Sequence, residues 1–207
     1  MGAHQAAFSF PSVIIEGRNR PPNWEEVVSG RIIREYTVLA PHLKKVNCEC
    51  VLDIGCGLGG MDVLLAKRHG TKMIHLLDGN GKGPKRLKYN EDVTEPWNNV
   101  TDAAIFVAHN TGGLKPPPSV MAHLVGERRK MMMVPPPTFI MSLWSWGFHY
   151  PLSAYLDLVK RYPDALVLLD LRNSSRVDGF TEIKEAGYKL VADVENTKKS
   201  RRAIFKL

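Results

Sequence analysis

Val51-Leu52-Asp53-Ile54-Gly55-Cys56-Gly57-Leu58-Gly59-Gly60 joins an apolar run to four closely spaced glycines. Residues 50–54 form a short apolar run, 55–60 a glycine loop, and 61–69 a helical segment that stops at Gly70. Residues 72–77 then read as a second strand. A strand, a glycine loop, a helix and another strand make one βαβ unit, and strands joined by a crossover helix lie parallel. The fold class is α/β.

Pro and Gly punctuation divides the rest of the chain into alternating pieces, with no internal repeat. Residues 1–22 read as an irregular arm. Residues 23–45 read as an amphipathic helix opened by Asn23 and broken near Pro41, with Trp24, Val27, Val28, Ile32, Tyr36 and Leu39 on one face. This helix is expected to pack on the domain or to lid its site. Residues 79–97, rich in Gly, Lys, Asn and Pro, read as a long loop, and residues 100–109 as a helix. Residues 121–134 fit helix or strand equally and must supply a third strand. Residues 138–144 read as a buried strand, 151–161 as a helix with Pro151 in its first turn, 165–171 as a strand and 180–186 as a helix stopped by Gly187. Residues 188–194 and 202–207 alternate like two strands of a terminal hairpin. The whole predicts a doubly wound, mostly parallel seven-stranded sheet with a C-terminal antiparallel hairpin, in a single domain with its core over residues 50–207.

Glycines after a strand let the chain turn tightly and let a ligand approach the backbone, while the next helix offers its free N–H groups. A nucleotide-like ligand is the natural occupant. Asp78, at the end of the second strand, sits where a carboxylate can accept both hydroxyl hydrogens of an adenosine ribose. The alternative is a tight turn with a helix-capping aspartate. The spacing also satisfies G-x-G-x-x-G through Gly55, Gly57 and Gly60, so the glycines alone do not exclude a dinucleotide.

With Asp53 two places before Gly55, Gly57 and Gly59, the loop resembles the first motif of the class I S-adenosylmethionine (SAM)-dependent methyltransferases. The resemblance implies SAM as cofactor, held by Asp53, Gly55, Cys56, Gly57, Gly59, Asp78 and Gly79. An ionised aspartate at a buried strand end is costly unless it meets a cation or donors, and the resemblance places the cofactor's ammonium near Asp53. No Y-x-x-x-K pair of the kind many small reductases use is present. The family also ends in an antiparallel hairpin whose last strand inserts beside strand five, so the likeness spans residues 51–207.

In the family, the residues after strand four face the methyl group. Here that segment is Met141-Ser142-Leu143-Trp144-Ser145-Trp146-Gly147-Phe148-His149-Tyr150-Pro151. It lacks the N/D-P-P-aromatic tetrad of adenine amino-methylating members and the aspartate of the ribose 2′-O-methylating set. Residues 142–151 are similar to the equivalent loop of sugar or small-molecule O-methyltransferases. A hydroxyl nucleophile must lose its proton as it attacks, and a histidine can take it, which makes His149 the candidate catalytic base. Ser145, Trp146 and Tyr150 are the candidate substrate-binding residues, Trp146 by stacking on a sugar or on the cofactor. The alternative is that His149 bonds a turn while Trp144, Trp146, Phe148 and Tyr150 pack the core.

The chain has 207 residues, 28 Lys and Arg against 21 Asp and Glu, a net charge of +7, and 44% of residues in the apolar set. This composition fits one folded soluble domain and excludes collagenous and disordered chains, while the charge favours anionic partners. Without a basic start followed by a sustained apolar stretch, a cytoplasmic location is expected, and no membrane partner. Cys48, Cys50 and Cys56 read as reduced structural thiols, with no metal expected. The remaining histidines, His42, His69, His75, His109 and His123, read as packing or surface residues. The run Met131–133 reads as flexible core filling.

Two basic clusters fall on the carboxyl side of the sheet: Lys82, Lys85, Arg86 and Lys88, and Lys198, Lys199, Arg201 and Arg202. A third, Arg128, Arg129 and Lys130, has no place from sequence. The leading function is methyl transfer from SAM to a hydroxyl oxygen of a small, sugar-like or anionic substrate. The alternatives are a nucleic-acid methyltransferase that contacts RNA through Lys82, Lys85, Arg86, Lys198, Lys199 and Arg201, and a non-catalytic SAM-binding subunit of a partner.

Overall fold

The computed structural model describes residues 8–12, 23–80, 99–174 and 177–207. Helix α1 spans Trp24–Leu43. Strand β1 (Cys50–Ile54), helix α2 (Gly60–His69) and strand β2 (Met73–Asp78) follow. Next come α3 (Val100–Thr111), β3 (Ser119–Leu124) and β4 (Phe139–Ser142). The chain closes with α4 (Leu156–Val159), β5 (Leu166–Ser174), the two-residue β6 (Val177–Asp178), α5 (Gly179–Glu185), β7 (Lys189–Asn196) and β8 (Ser200–Lys206).

Seven strands run in the order β3-β2-β1-β4-β5-β8-β7, with β6 attached to β5. Pairs β1–β2, β1–β4, β2–β3 and β4–β5 are parallel, and β8 is antiparallel to both β5 and β7. The expected sheet and its terminal hairpin are therefore present. Every residue of β1 is buried, as a central parallel strand covered on both faces requires.

Alternation along the strands splits the core. Leu52, Ile54, Leu77, Val167 and Phe205 face a layer built from Met131, Met133, Leu158, Val159 and Ile183. On the other side, Val51, Ile74, Leu76 and Leu168 meet α1, α2 and α3 through Leu39, Leu43, Val63, Leu65 and Phe106. Met131 and Met133 are core residues, whereas Met132 between them is 80% exposed.

Several local expectations are corrected. Pro41 does not break α1, which runs on to Leu43; at an exposed position the carbonyl left without its helical N–H partner can be solvated. Asn23 occupies the N-cap position without a side-chain cap bond. The third strand comes from residues 119–124, earlier than the ambiguous stretch suggests. Residues 151–161 form a 3-10 turn (Leu152–Ala154) and the short α4 instead of one helix. Strand β4 stops at Ser142, because Trp144 takes a left-handed backbone conformation (φ 59°) that no strand continues through. Of the irregular arm, residues 8–12 are described: Phe8 is buried and stacks on Phe106, and Phe10 packs on Trp24 and Phe106. The long loop expected over residues 79–97, with its cluster Lys82, Lys85, Arg86 and Lys88, lies outside the described residues apart from Gly79 and Asn80. Among the described residues no helix is long and apolar enough to cross a membrane.

Candidate functional site

The glycine loop leaves the carboxyl end of β1 at the centre of the sheet, where ligands of open α/β sheets bind. Gly55 and Gly59 have φ of 73° and 75°, conformations that side chains other than glycine rarely adopt. Space forbids a side chain as well. A Cβ on Gly55 would lie 2.0 Å from Ser145 Oγ, and one on Gly59 would lie 2.5 Å from Val107 Cγ2. Helix α1 closes on the next residue, where a Cβ on Gly60 would meet Ile32 Cδ1 at 2.3 Å. The helix thus both packs on the domain and borders the loop, as its sequence pattern suggests.

Asp78 ends β2 beside the loop. Its Oδ2 accepts from Gly57 N at 2.8 Å and its Oδ1 from Gly79 N at 2.7 Å, which fixes the carboxylate between the two predicted binding segments. Burial pushes its carboxyl up to about 6, against the two backbone N–H groups that favour the charged form.

Beneath the loop, Asp53 of β1 meets Asp62 in the first turn of α2, and both are buried. Neither Asp62 oxygen has a donor among the described residues. Burial raises both carboxyls, Asp53 further through the neighbouring Asp62 charge, with Asp62 pushed up to about 7. Two carboxylates in contact in a dry site hold one proton between them. Asp62 escaped the sequence reading, since nothing in its local pattern distinguishes it from a helix N-terminal acid. Cys56 is buried, and its thiol is raised by burial and by these three aspartates, so it is an inert wall of the loop.

The segment after β4 is tied to the same edge. Ser142 Oγ donates to Ile54 O at 2.7 Å and accepts from Trp146 N at 2.8 Å, joining the end of β1 to the start of the aromatic loop. Ser145 O accepts from the backbone N–H groups of Phe148, His149 and Tyr150 at 3.2, 2.8 and 3.1 Å. The loop is therefore a compact turn with Ser145 against Gly55 and His149 packed edge-on to Phe148. His149 is partly buried, and burial first, then the Arg172 charge, holds its imidazole below the ordinary 6.5. It is neutral at physiological pH and able to accept a proton.

The two tryptophans exchange their expected places. Trp146 is fully buried, its Nε1 donating to Leu152 O at 2.8 Å and its ring edge-on to Tyr155, so it is a core residue and not a stacking platform. Trp144 is 42% exposed and Tyr150 45%. Trp144 stands edge-on to Phe148 and is held by its own N–H to Asp170 Oδ2 at 3.1 Å. Asp170 in turn takes a bidentate pair from Arg202, at 2.6 and 2.9 Å, and Arg202 also pairs with Glu35 of α1. Arg202 is 3% exposed and fully engaged, so it leaves the basic edge to which its sequence position assigns it. Arg201 pairs with Asp193, while Lys198 and Lys199 are exposed in the turn between β7 and β8. Arg128, Arg129 and Lys130 follow β3; Arg128 bonds Ala154 O and Val125 O.

Cys48, Cys50 and Cys56 are buried free thiols. Among the described residues no group of three or more His, Cys, Asp and Glu could hold a metal ion. His75 and His123 form a pair the sequence does not announce, Nδ1 to Nε2 at 2.9 Å, across neighbouring strands β2 and β3.

No family model and no curated protein matches the chain. Solved structures do match in fold. The magnesium protoporphyrin IX methyltransferase of Synechocystis with bound SAM is 15% identical, with 93% of this chain and 87% of that chain covered and a TM-score of 0.54. A Streptococcus pneumoniae protein with a proposed tRNA (m1A22) methyltransferase activity, in complex with SAM, is 12% identical over 84% and 72%, with a TM-score of 0.56. A protein of Pyrococcus horikoshii is 14% identical over 96% and 99%, with a TM-score of 0.57. The chain has the Rossmann-like fold of class I SAM-dependent methyltransferases.

Proposed function

We propose that this protein is a SAM-dependent methyltransferase whose acceptor is a hydroxyl oxygen of a small substrate. The observation that carries the reading is the shared edge: the glycine cradle, the Asp78 carboxylate and the His149 turn meet at the carboxyl ends of β1, β2 and β4. The residues present fit the cofactor. Backbone of Gly55, Cys56, Gly57 and Gly59 offers the close approach its methionine part needs, and Asp78, anchored by Gly57 and Gly79, presents acceptors to ribose hydroxyls. The buried Asp53 and Asp62 pair, without a cation among the described residues, suits a ligand that brings an ammonium. A nicotinamide dinucleotide offers no such group there.

When bound, the cofactor supplies an electrophilic methyl on a sulfonium. The chain's own residues do the rest. Ser145 and Tyr150 border the acceptor space, the Ser142 and Ser145 bonds hold the His149 turn, and the neutral imidazole of His149 takes the hydroxyl proton as the oxygen attacks. Calorimetry with SAM and with NAD, followed by a screen of acceptors with methyl-labelled SAM, tests the reading; binding of NAD and not SAM rejects it.

A nucleic-acid acceptor is the second reading, favoured by exposed Lys198 and Lys199 on the carboxyl edge. It predicts binding that falls steeply with salt, because several phosphate contacts release counterions.

A further inference from the structure

A cavity of ≈ 180 Å³ opens at the carboxyl end of β5, beside the His149 turn, with Arg172, Asn173, Asp178, Phe180, Asn196 and Arg201 in its walls. Arg172 joins the two places. Its backbone N–H donates to Gly147 O at 3.0 Å, its guanidinium lies 5.1 Å from the centre of the Phe148 ring, and its charge acts on the His149 imidazole.

The acids at the cavity are already committed. Asp178 Oδ1 caps α5, accepting from Phe180 N and Thr181 N at 3.1 Å each, and its Oδ2 takes the Thr181 hydroxyl at 2.6 Å. Asp193 takes Nε and Nη2 of Arg201 at 2.6 and 2.7 Å, and Arg201 Cζ lies 3.5 Å from the centre of the Phe180 ring. Asn173 N donates to Lys199 O at 2.9 Å, which brings the turn bearing Lys198 and Lys199 to the rim. Arg172 has no carboxylate within ion-pair distance among the described residues. Arg172, Asn173 and Asn196 thus line a cavity whose one acid among the described walls, Asp178, caps α5.

We propose that this cavity binds the phosphate or carboxylate group of the methyl acceptor, with Arg172 as its principal ligand. Arg172 forks toward two oxygens of one anion, Asn173 and Asn196 donate from the walls, and the anion's position fixes the rest of the substrate against the His149 turn. The ≈ 180 Å³ space accommodates one phosphate or carboxylate group. The identification of the anion's owner as the acceptor rests on the function proposed above; the anion site itself does not.

The test is a backbone-amide NMR titration of the whole chain without cofactor, using glucose 6-phosphate, glucuronate and glucose as probes. Saturable shifts at Asn173, Asn196 and Arg201 with one or both anions, and none with glucose, are expected; the stronger anion identifies the group. Arg172→Ala should weaken the binding by roughly 10- to 100-fold, the scale of a charge-assisted hydrogen-bond pair. Asn196→Asp, which puts a carboxylate in the wall and leaves Arg172 in place, should weaken it too and guards against a folding defect in the first variant. Absence of shifts with both anions, or unchanged binding in both variants, overturns the proposal. So does tighter binding of a single-stranded RNA that displaces glucose 6-phosphate with a steep salt dependence. Because neither SAM nor turnover enters the measurement, a negative result here leaves the cofactor assignment standing, and a failed SAM titration leaves the anion site standing.

Discussion

Ser145 Oγ occupies the space that a side chain on Gly55 would need, 2.0 Å from where its Cβ would lie. The first glycine of the loop is therefore required by the turn after β4 as well as by its own φ of 73°. The glycine loop and the turn after β4 are packed as one piece.

Gly55→Ala should destabilise the protein by about 2–5 kcal/mol, the sum of left-handed strain and overpacking. Urea denaturation measures it. In a Ser145→Gly background the steric part is removed and the strain remains, so the same substitution should cost about 1–3 kcal/mol there. Equal losses in both backgrounds would show that the contact carries nothing.

Burial, outweighing its two backbone donors, pushes the Asp78 carboxyl up to about 6. Only the carboxylate can accept from both ribose hydroxyls and both N–H groups together, so SAM binding favours the ionised form. Affinity measured by calorimetry should be flat above pH 7 and fall as pH drops through about 6. Asp78→Ala should weaken SAM by roughly 1–3 kcal/mol and flatten that profile.

Asp62 is raised by burial to about 7 from an ordinary 3.8. Between those values the folded state holds a proton that the unfolded chain has released, so this group's contribution to stability is complete below pH 4 and is lost as pH rises through 7. The cofactor-free protein should melt higher at pH 5.5 than at pH 8. Asp62→Asn should raise the Tm at pH 8 by at least about 2–4 °C, the equivalent of 1 kcal/mol in a chain of this size, and shrink the pH dependence. A lower Tm for this variant at pH 8 would contradict the shared-proton pair.

His149→Ala should retain SAM affinity and lose roughly 10²–10⁴-fold in turnover on an acceptor, the usual span of general base catalysis. The wild-type rate should fall on the acid side with a midpoint below 6.5, since burial and Arg172 both disfavour the imidazolium. Unchanged methylation in the variant would leave orientation within the aromatic turn as the source of rate.

Local rules alone place β1, the glycine loop, α2 and β2 almost to the residue. Apolar runs set the strands, and Gly55, Gly57 and Gly59 alone tolerate the positive φ the loop demands. The terminal hairpin was equally legible from the alternation of residues 188–194 and 202–207. Several side-chain placements depend instead on the fold. Trp144 and Trp146 share strand parity, and only the left-handed turn at Trp144 sends one into water and the other into the core. Arg202 reads as a member of a basic run, yet its partners Asp170 and Glu35 lie 32 and 167 residues away and reach it because β8 inserts beside β5 with α1 across them. Asp62 looks like an ordinary acid in a helix's first turn until folding buries it against Asp53. For Arg202 and Asp62 the deciding term is burial or charge pairing, which depends on what the fold brings near a side chain and not on its neighbours along the chain.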